Sequence, residues 1–472
     1  MLAVSGFHPQ ATGADAPART ATDPEIHAAL QVLALGLESQ RRERDQPGLA
    51  IAVVVDQELL WQQGFGQADL ASGRPVTPQT RFRIGSISKL FTATAILQLR
   101  DAGRLQLQDR VANFLPGVEL PVAIDATPIT IEQLLTHTAG FPRESTPAYW
   151  NEADFPTRDE MLQALRAQRS VAAPDTEVRY SNLGYAVAGE IVARASGKSY
   201  VEFVEARILQ PLGMTATAVT PRADTAPFAT GYGPRLAGRP REVERLPDAK
   251  GLTPAGNFSS TVADLGQFVS LQFRDGPVGG AQILKTATLR SMHRVRWLQP
   301  DWQRGQGLGF YVRLADRQTR IGHAGSMPGF RALLEFEPKR KLGVVVLTNA
   351  NDGEPSVYLE QAFAILGPLV ERLATQHRET SASTATDSRT YVGTYAWKEL
   401  VVHVMELEGA LTVIRPNDAN PWQSRVVLER TGEHLFRERG NASGEPYRFE
   451  LDSRGRAIKL WTDNFYRLRT DP

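Results

Sequence analysis

The sequence predicts an α+β protein in which an antiparallel sheet packs on helices and carries a helical lobe, followed by a small all-β C-terminal domain. Strand-like apolar runs occur near the start of the chain and again shortly before residue 375, and helix-like text lies between them. Beyond a short polar stretch, runs of alternating apolar residues continue to the C-terminus. Each sheet or helix must bury its apolar face against another layer, so these runs indicate two packed units.

Residues 1–25 are expected to form a disordered tail, because HPQATGADAPARTATDP is polar and rich in Ala, Pro and Thr. The apolar start MLAVSGF is shorter than the core of about 7–15 residues that a signal peptide needs. From Pro47 onward, two apolar runs flank Asp56-Gln57 and predict a β-hairpin.

The next element is a helix that is predicted to end near Gly103. Its apolar residues recur with a spacing close to 3.6, at Leu90, Ala93, Ile96, Leu97 and Leu99. Further helices are predicted in TIEQLLTHTAGFP and YAVAGEIVARASG, and a late hairpin in RALLEFEPKRKLGVVVLTN. Residues 26–378 are therefore expected to form one domain, with a sheet built from both ends and a site in the cleft beside the helical lobe.

The stretch ETSASTATDSR, residues 379–389, is small and polar and is predicted to be a linker. After it, five runs look like short strands: TYVGTYAW, LVVHVMEL, ALTVIR, YRFEL and AIKLW. Residues 390–472 are therefore expected to form a small lipocalin-like barrel. We favour a structural or interaction module over a direct role in the cleft for this unit.

Composition narrows the function classes. Lys+Arg total 53 and Asp+Glu total 52, so a net charge of +1 gives no electrostatic signature of nucleic-acid binding. The chain has no cysteine, and its eight histidines are scattered, so neither a thiol nucleophile nor a zinc site is expected. No apolar run reaches the roughly 18 residues that a membrane span requires. No cofactor or metal is expected, and the oligomeric state is left open.

The first candidate site lies in RIGSISKLF, where Ser86 precedes Lys89 by three residues at the start of the predicted helix. At i and i+3 the two side chains share a helix face, so the amine can activate the hydroxyl as a nucleophile. A desolvated lysine near other cations is partly deprotonated, as this role requires. Serine is also a common N-cap and lysine a common helix former, so the motif alone does not decide.

The second candidate is YSN, in which Tyr180 can transfer a proton and the amide of Asn182 can both donate and accept. The competing interpretation is an ordinary helix start with Asn near the cap. A similar triplet begins at Tyr149, but it precedes EADFPTRDE instead of an amphipathic helix, so we interpret it as a loop.

The third candidate is HAG in RIGHAGSMPGF. His323 can orient Tyr180 or contact substrate, and Gly325 lets a substrate backbone approach. The alternative is a structural histidine in a Gly-rich loop. The triplet that begins at Lys285 resembles this pattern but lacks the glycine and leads into a predicted helix.

The order SxxK, YxN, HxG resembles that of the serine β-lactamase and penicillin-binding protein superfamily. LLTHTAGFP, the text around YSN, PAGNFSSTVADLGQF and FEPKRKLGVVVLTN look like the branch related to class C β-lactamases, family VIII esterases and D-aminopeptidases. The resemblance covers about residues 28–375 and implies a β-lactamase/transpeptidase-like fold. His137 lies in LLTHTAG, and we expect a structural role for it.

The resemblance also implies roles. Ser86 would form an acyl-enzyme, Lys89 would activate it, and Tyr180 would act as base in acylation and as acid towards the leaving group. Asn182 would hold Lys89 and the substrate. The backbone N–H groups of Ser86 and Ser326 would form the oxyanion hole.

This chain departs from the β-lactamases at the third motif. They usually carry KTG, whereas here a histidine that is mostly neutral near pH 7 precedes Ala324, which has no hydroxyl. The pattern therefore favours a D-aminopeptidase-like hydrolase of small amide or short-peptide substrates. The alternatives are a family VIII carboxylesterase and, ranked lower, a β-lactamase, an acyltransferase or a penicillin-binding sensor. A periplasmic or secreted location is expected, with the cytoplasm as the alternative.

Overall fold

The computed structural model describes residues 23–471, apart from 122–123, 125–126, 146–148, 221–226, 277–279, 385–387, 408, 419 and 442. It divides the chain into two compact units, the first ending at Arg372 and the second beginning at Leu373. No helix among the residues so described is long and apolar enough to cross a membrane.

The first unit contains a nine-stranded antiparallel sheet with the order β3-β2-β1-β11-β10-β9-β8-β7-β6. Its strands are β1 Gly48–Val55, β2 Glu58–Asp69, β3 Arg74–Pro75, β6 Trp297–Leu298, β7 Arg304–Gln306, β8 Tyr311–Ala315, β9 Gln318–Met327, β10 Phe330–Glu337 and β11 Leu342–Thr348. A separate two-stranded sheet pairs β4 Phe82–Arg83 with β5 Ser259–Ser260.

Strands from both ends of the unit meet in the middle of this sheet. Ala52 of β1 lies opposite Val345 of β11, although almost three hundred residues separate them along the chain. Both strands are β-branched and apolar, and every residue in them is buried, which is the pattern of a strand covered on both faces. The sheet built from both ends and the two hairpins are therefore confirmed.

Helices pack on this sheet, and those in the middle of the chain form a lobe between its two halves. They are α1 Pro24–Glu43, α2 Ser88–Asp101, α3 Ile131–Thr136, α4 Tyr149–Glu152, α5 Arg158–Ala164, α6 Asn182–Ser196, α7 Tyr200–Val204, α8 Thr253–Gly256, α9 Val262–Gln272, α10 Thr286–His293 and α11 Pro355–Thr384. Side-chain caps explain where several begin: Asp23 accepts from the backbone of α1, and Thr130 and Gln133 form a capping box at α3.

The second unit contains a closed barrel of eight antiparallel strands. These are β12 Gly393–Trp397, β13 Leu400–Leu407, β14 Ala410–Ile414, β15 Val426–Gly432, β16 Leu435–Glu438, β17 Tyr447–Leu451, β18 Ala457–Thr462 and β19 Phe465–Arg469. Its buried core includes Tyr391, Tyr395, Phe436 and Phe449. The small all-β domain is confirmed, although only five of its eight strands were expected from the sequence.

Two expected boundaries differ in detail from the structure. Residues 1–22 of the expected tail lie outside the described residues, and α1 begins at Pro24. Helix α11 continues to Thr384, into the segment 379–389 that we interpreted as a linker. Small residues such as Ser and Ala in that stretch are compatible with a helix that is already under way. The role of the barrel stays a prediction.

Candidate active site

Ser86 lies in a single 3₁₀ turn, Gly85–Ile87, that leads directly into α2. From Arg81 to Leu97 it is the one residue that is not buried, so its side chain faces outward from a packed element. Ser88 instead points inward, where its Oγ donates to Gly85 O at 2.7 Å and accepts from Phe258 N at 3.1 Å. Ser88 therefore anchors the turn to the protein interior, while Ser86 stays accessible.

Lys89 is completely buried one turn after Ser86. Its Nζ lies 3.2 Å from Ser86 Oγ, 2.7 Å from Asn182 Oδ1 and 2.7 Å from Ala255 O. Burial lowers the pKa of Lys89 well below its usual value; the Glu144 carboxylate opposes this lowering. The structure thus brings the predicted serine, lysine and asparagine into one hydrogen-bonded group, with an amine that deprotonates more readily than a surface lysine.

Tyr180 lies beside this group, and Ser86 is close enough to its hydroxyl to influence the pKa of the phenol. Lys89 Nζ lies 4.8 Å from the centre of the Tyr180 ring. Burial raises the pKa of Tyr180 to about 12, although the neighbouring Ser86 side chain acts in the opposite direction. At neutral pH the phenol is therefore protonated and available as a proton donor.

His137 supports Tyr180 from the other side. Its ring lies 4.4 Å from the Tyr180 ring, and its Nδ1 accepts the backbone N–H of Ser181 at 3.1 Å. Burial lowers the pKa of His137 well below its usual value, so the imidazole is neutral. The structural role that we expected for His137 is therefore to hold the loop that carries Tyr180.

His323 and Ser326 lie within strand β9, where the sequence had suggested a loop before the late strands. His323 is buried, its Nδ1 lies 2.6 Å from Ala324 O, and burial lowers its pKa to about 3. Its ring lies 6.3 Å from that of Tyr180, and the described contacts include no hydrogen bond between the two. His323 is therefore a neutral neighbour of Tyr180.

Glycines allow the serine turn and β9 to approach each other. Gly85 has φ +49°, and a Cβ there would lie 2.6 Å from the backbone nitrogen of Ser326. A Cβ on Gly325 would overlap the carbonyl oxygen of Ile84. We expected the missing side chain of Gly325 to leave room for a substrate backbone. In the structure it leaves room for the backbone of Ile84, just before Ser86. This contact places the N–H groups of Ser86 and Ser326 on neighbouring segments.

Replacing Gly325 with alanine should lower both stability and turnover, because the added methyl group meets a backbone atom that cannot rotate away. Overpacking of this kind costs about 1–3 kcal/mol, and a displacement of about 1 Å at reacting groups can lower rates by about 10²-fold. Urea unfolding and kcat would measure the two effects. Gly276→Ala is the matched control, since no described atom lies within 4 Å of its added methyl group. Wild-type values for Gly325→Ala would contradict the tight packing.

A narrow cavity opens beside these groups. Ser86, Asn182 and Ser326 contribute its polar lining. The rest of its lining is apolar and consists of Trp150, Phe155, Ala249, Leu252, Ala255, Gly256 and Met327. The cavity therefore offers an apolar surface to a substrate whose carbonyl group reaches Ser86. Within the described part of the chain, no group of three or more His, Asp or Glu side chains could hold a metal ion.

Three contributors were not found from the sequence. Ala255 supplies a backbone carbonyl to Lys89, which no side-chain motif can indicate. Glu144 accepts from Asn182, and Trp150 lines the cavity. The triplet that begins at Tyr149 was interpreted as a loop; this is wrong, because Tyr149–Glu152 form a short helix packed on Phe155. Glu144 could have been noticed in the sequence, because the pair Arg143-Glu144 directly follows the stretch LLTHTAGFP.

Comparison with known proteins identifies the family of this chain. A family model described as beta-lactamase matches residues 35–366. Penicillin-binding protein 4 of Amycolatopsis lactamdurans is 30% identical over 321 residues, which cover 66% of this chain and 83% of that protein.

Solved structures are similar as well. That of a D-stereospecific amidohydrolase from Streptomyces sp. has a TM-score of 0.60 and 26% identity, and the match covers 71% of this chain and 98% of that one. An octameric penicillin-binding protein homologue from Pyrococcus abyssi has a TM-score of 0.62 and 23% identity, and the match covers 93% of this chain and 100% of that one. At that identity the second likeness concerns the fold alone.

Proposed function

Since this chain belongs to the beta-lactamase family and is a serine hydrolase, we propose that it cleaves small amide or short-peptide substrates through an acyl-enzyme on Ser86. The observation that carries the proposal is the hydrogen-bonded group around Lys89, whose Nζ reaches both Ser86 Oγ and Asn182 Oδ1. A buried amine beside an accessible hydroxyl is the arrangement that activates a serine nucleophile.

In the first step, Ser86 Oγ forms a bond to the substrate carbonyl carbon and gives up its proton. The pKa directions favour Lys89 as the first acceptor, since burial lowers the pKa of this amine and raises that of Tyr180 to about 12. Tyr180 then donates its proton to the leaving nitrogen or oxygen as the carbonyl–leaving-group bond breaks, and recovers a proton from Lys89. This order keeps the acid role that we expected for Tyr180, and it proposes Lys89 as the base in acylation, a role that we had expected of Tyr180.

The developing oxyanion would be stabilised by the backbone N–H groups of Ser86 and Ser326. The close approach of Gly85 to the Ser326 nitrogen supports this pairing. Removing one oxyanion donor typically costs about 3 kcal/mol of transition-state stabilisation. Water then attacks the carbonyl carbon of the acyl-enzyme and gives a proton to Lys89. Ser86 Oγ takes up that proton as its bond to the acyl carbon breaks, which releases the acid product and regenerates Ser86.

The substrate class follows from the third motif and the cavity wall. Burial lowers the pKa of His323 to about 3, so at neutral pH this residue supplies no positive charge for a substrate carboxylate. Trp150, Phe155 and Leu252 instead offer apolar contacts. The similarity to a D-stereospecific amidohydrolase favours amide cleavage. We rank a carboxylesterase second, because the same nucleophile and cavity suit an ester.

A substrate panel tests this ranking: p-nitrophenyl esters, D- and L-aminoacyl anilides and a chromogenic cephalosporin, each with wild type and Ser86→Ala. We expect the highest kcat/KM on an aminoacyl anilide. Turnover of esters alone would make the protein a carboxylesterase, and preferred cleavage of the cephalosporin would overturn the argument from His323. A stoichiometric burst without turnover would indicate a penicillin-binding sensor, and transfer to an added amine would indicate an acyltransferase.

We also propose a periplasmic or secreted location. The support is the similarity to proteins named penicillin-binding proteins. Fractionation of cells that express the full-length protein, followed by immunoblotting, would test it, and recovery in the cytoplasmic fraction alone would contradict it.

A further inference from the structure

Glu144 lies at the edge of the site and has no part in the mechanism above. It directly follows Arg143, whose carbonyl oxygen accepts the backbone N–H of Asn182 at 2.8 Å. The Glu144 side chain is 20% exposed, so it is largely withdrawn from solvent although it carries a charge. A carboxylate in such a position requires partners. Arg143 Nε, which is largely exposed, pairs with Glu144 Oε1 at 3.3 Å, and the other partners belong to the site.

The first partner is the amide of Asn182, whose Nδ2 donates to Glu144 Oε1 at 2.7 Å. The Oδ1 of the same amide accepts from Lys89 Nζ at 2.7 Å. A primary amide can turn by half a rotation and exchange its oxygen and nitrogen. Because a carboxylate only accepts hydrogen bonds, Glu144 holds the NH₂ group and so leaves the oxygen facing Lys89. The reverse orientation would place a donor against a donor.

The second partner is the aromatic helix α4. Trp150 Nε1 donates to Glu144 Oε1 at 3.1 Å, and the Tyr149 hydroxyl donates to Oε2. The Trp150 ring packs edge-on against Phe155 with centroids 4.8 Å apart, and both rings line the cavity beside Ser86. One carboxylate therefore holds both the amide that contacts the lysine and the indole that forms the cavity wall.

We propose that Glu144 is a positioning residue, which fixes the orientation of the Asn182 amide towards Lys89 and holds Trp150 against the cavity. This inference rests on the proposed function, since it assigns Glu144 to the same site. Glu144 itself touches neither the nucleophile nor the reacting carbonyl, so it acts through Asn182 and Trp150.

The charge of Glu144 has a separate, measurable consequence. It raises the pKa of Lys89 and that of Tyr180, whereas Arg143 lowers both. Among the described residues, the other titratable groups that face Lys89 are His137, His323 and Tyr185, of which the two histidines are neutral because burial lowers their pKa. Removing the negative charge should therefore lower the pKa of Lys89 and of Tyr180. The acidic limb of the kcat/KM profile then moves to lower pH.

The test compares Glu144→Gln and Glu144→Ala with the wild type on the best substrate of the panel. Glutamine keeps an acceptor for Asn182, so we expect a fall in kcat of less than about 10-fold together with the shift of the acidic limb. Alanine removes the acceptor, so we expect kcat to fall by about 10–100-fold with a smaller change in KM. The matched control is Glu177→Gln, because Glu177 is 44% exposed and its described ion pair is with the nearby Arg179 at 2.8 Å.

Wild-type kcat and an unshifted acidic limb in both Glu144 variants would overturn the inference. If Glu144→Ala fails to fold, the pH profile of Glu144→Gln decides, because a purely structural role would not move it. Failure of the proposed function looks different: Ser86→Ala would then keep its activity. If Ser86→Ala is inactive while both Glu144 variants behave as wild type, only the positioning role is lost.

Discussion

Ser86→Ala is expected to abolish turnover, with a fall in kcat of roughly 10⁴–10⁶-fold, the range found when the nucleophile of a serine hydrolase is removed. The side chain of Ser86 is accessible in an otherwise buried stretch, so nothing in the core depends on its hydroxyl. Lys89 Nζ keeps two acceptors, Asn182 Oδ1 and Ala255 O, when Ser86 Oγ is removed. The variant should therefore fold normally, which urea unfolding and circular dichroism would verify.

Ser196→Ala is the matched control for this measurement. Ser196 ends α6, and the described contacts of its hydroxyl are local, with the carbonyl groups of Ala193 and Lys198 and the backbone nitrogen of Lys198. Its kcat should equal that of the wild type. Retention of more than about a tenth of wild-type kcat by Ser86→Ala would rule out the acyl-enzyme on this serine, given the size of the expected loss.

Lys89→Met should lower kcat by about 10²–10⁴-fold, the usual contribution of a positioned proton acceptor. Methionine fills a similar volume but accepts no proton from Ser86 and donates nothing to Asn182. The loss should appear in kcat more than in KM, because the amine does not line the cavity as described. The matched control is Lys285→Met, since Lys285 is exposed and belongs to the triplet that only resembles the third motif.

The same variant should change how stability depends on pH. Because the folded-state pKa of Lys89 lies below its usual 10.5, the unfolded chain binds more protons than the folded one between the two values. Lys89 therefore makes the free energy of unfolding of the wild type increase as the pH rises towards 10.5. Lys89→Met should lack this contribution. Parallel pH profiles for the two proteins would show that the amine is protonated in the folded state as readily as in water.

The three motifs could be predicted from the sequence because each combines a reactive side chain with a local pattern. Ser86 and Lys89 lie one helical turn apart, and Asn182 begins the helix that follows Tyr180. The spacing of the three motifs along the chain does not show that they meet in the folded protein. That expectation came from the resemblance to a known family. The pairing of β1 with β11 was predictable in outline, because buried apolar strands at both ends of a domain need each other.

Other parts of the site and fold left weaker signals. The Ala255 carbonyl contacts Lys89 only because α8 is packed against α2, a tertiary contact that residue types do not reveal. The sheet edge β6–β8 is built from short strands with polar residues such as Arg304 and Gln306, which lack the apolar alternation of a strand. Strands β15, β16 and β19 of the barrel were missed because charged residues such as Glu429 and Arg467 interrupt their pattern.

The most direct test of the mechanism is intact-protein mass spectrometry after rapid acid quenching of a reaction with a slowly hydrolysed p-nitrophenyl ester. The wild type should gain the mass of one acyl group, peptide mapping should locate that group on Ser86, and Ser86→Ala should gain nothing. An acyl group on another residue, or steady turnover in the Ser86→Ala variant, would contradict the assignment of Ser86 as the nucleophile.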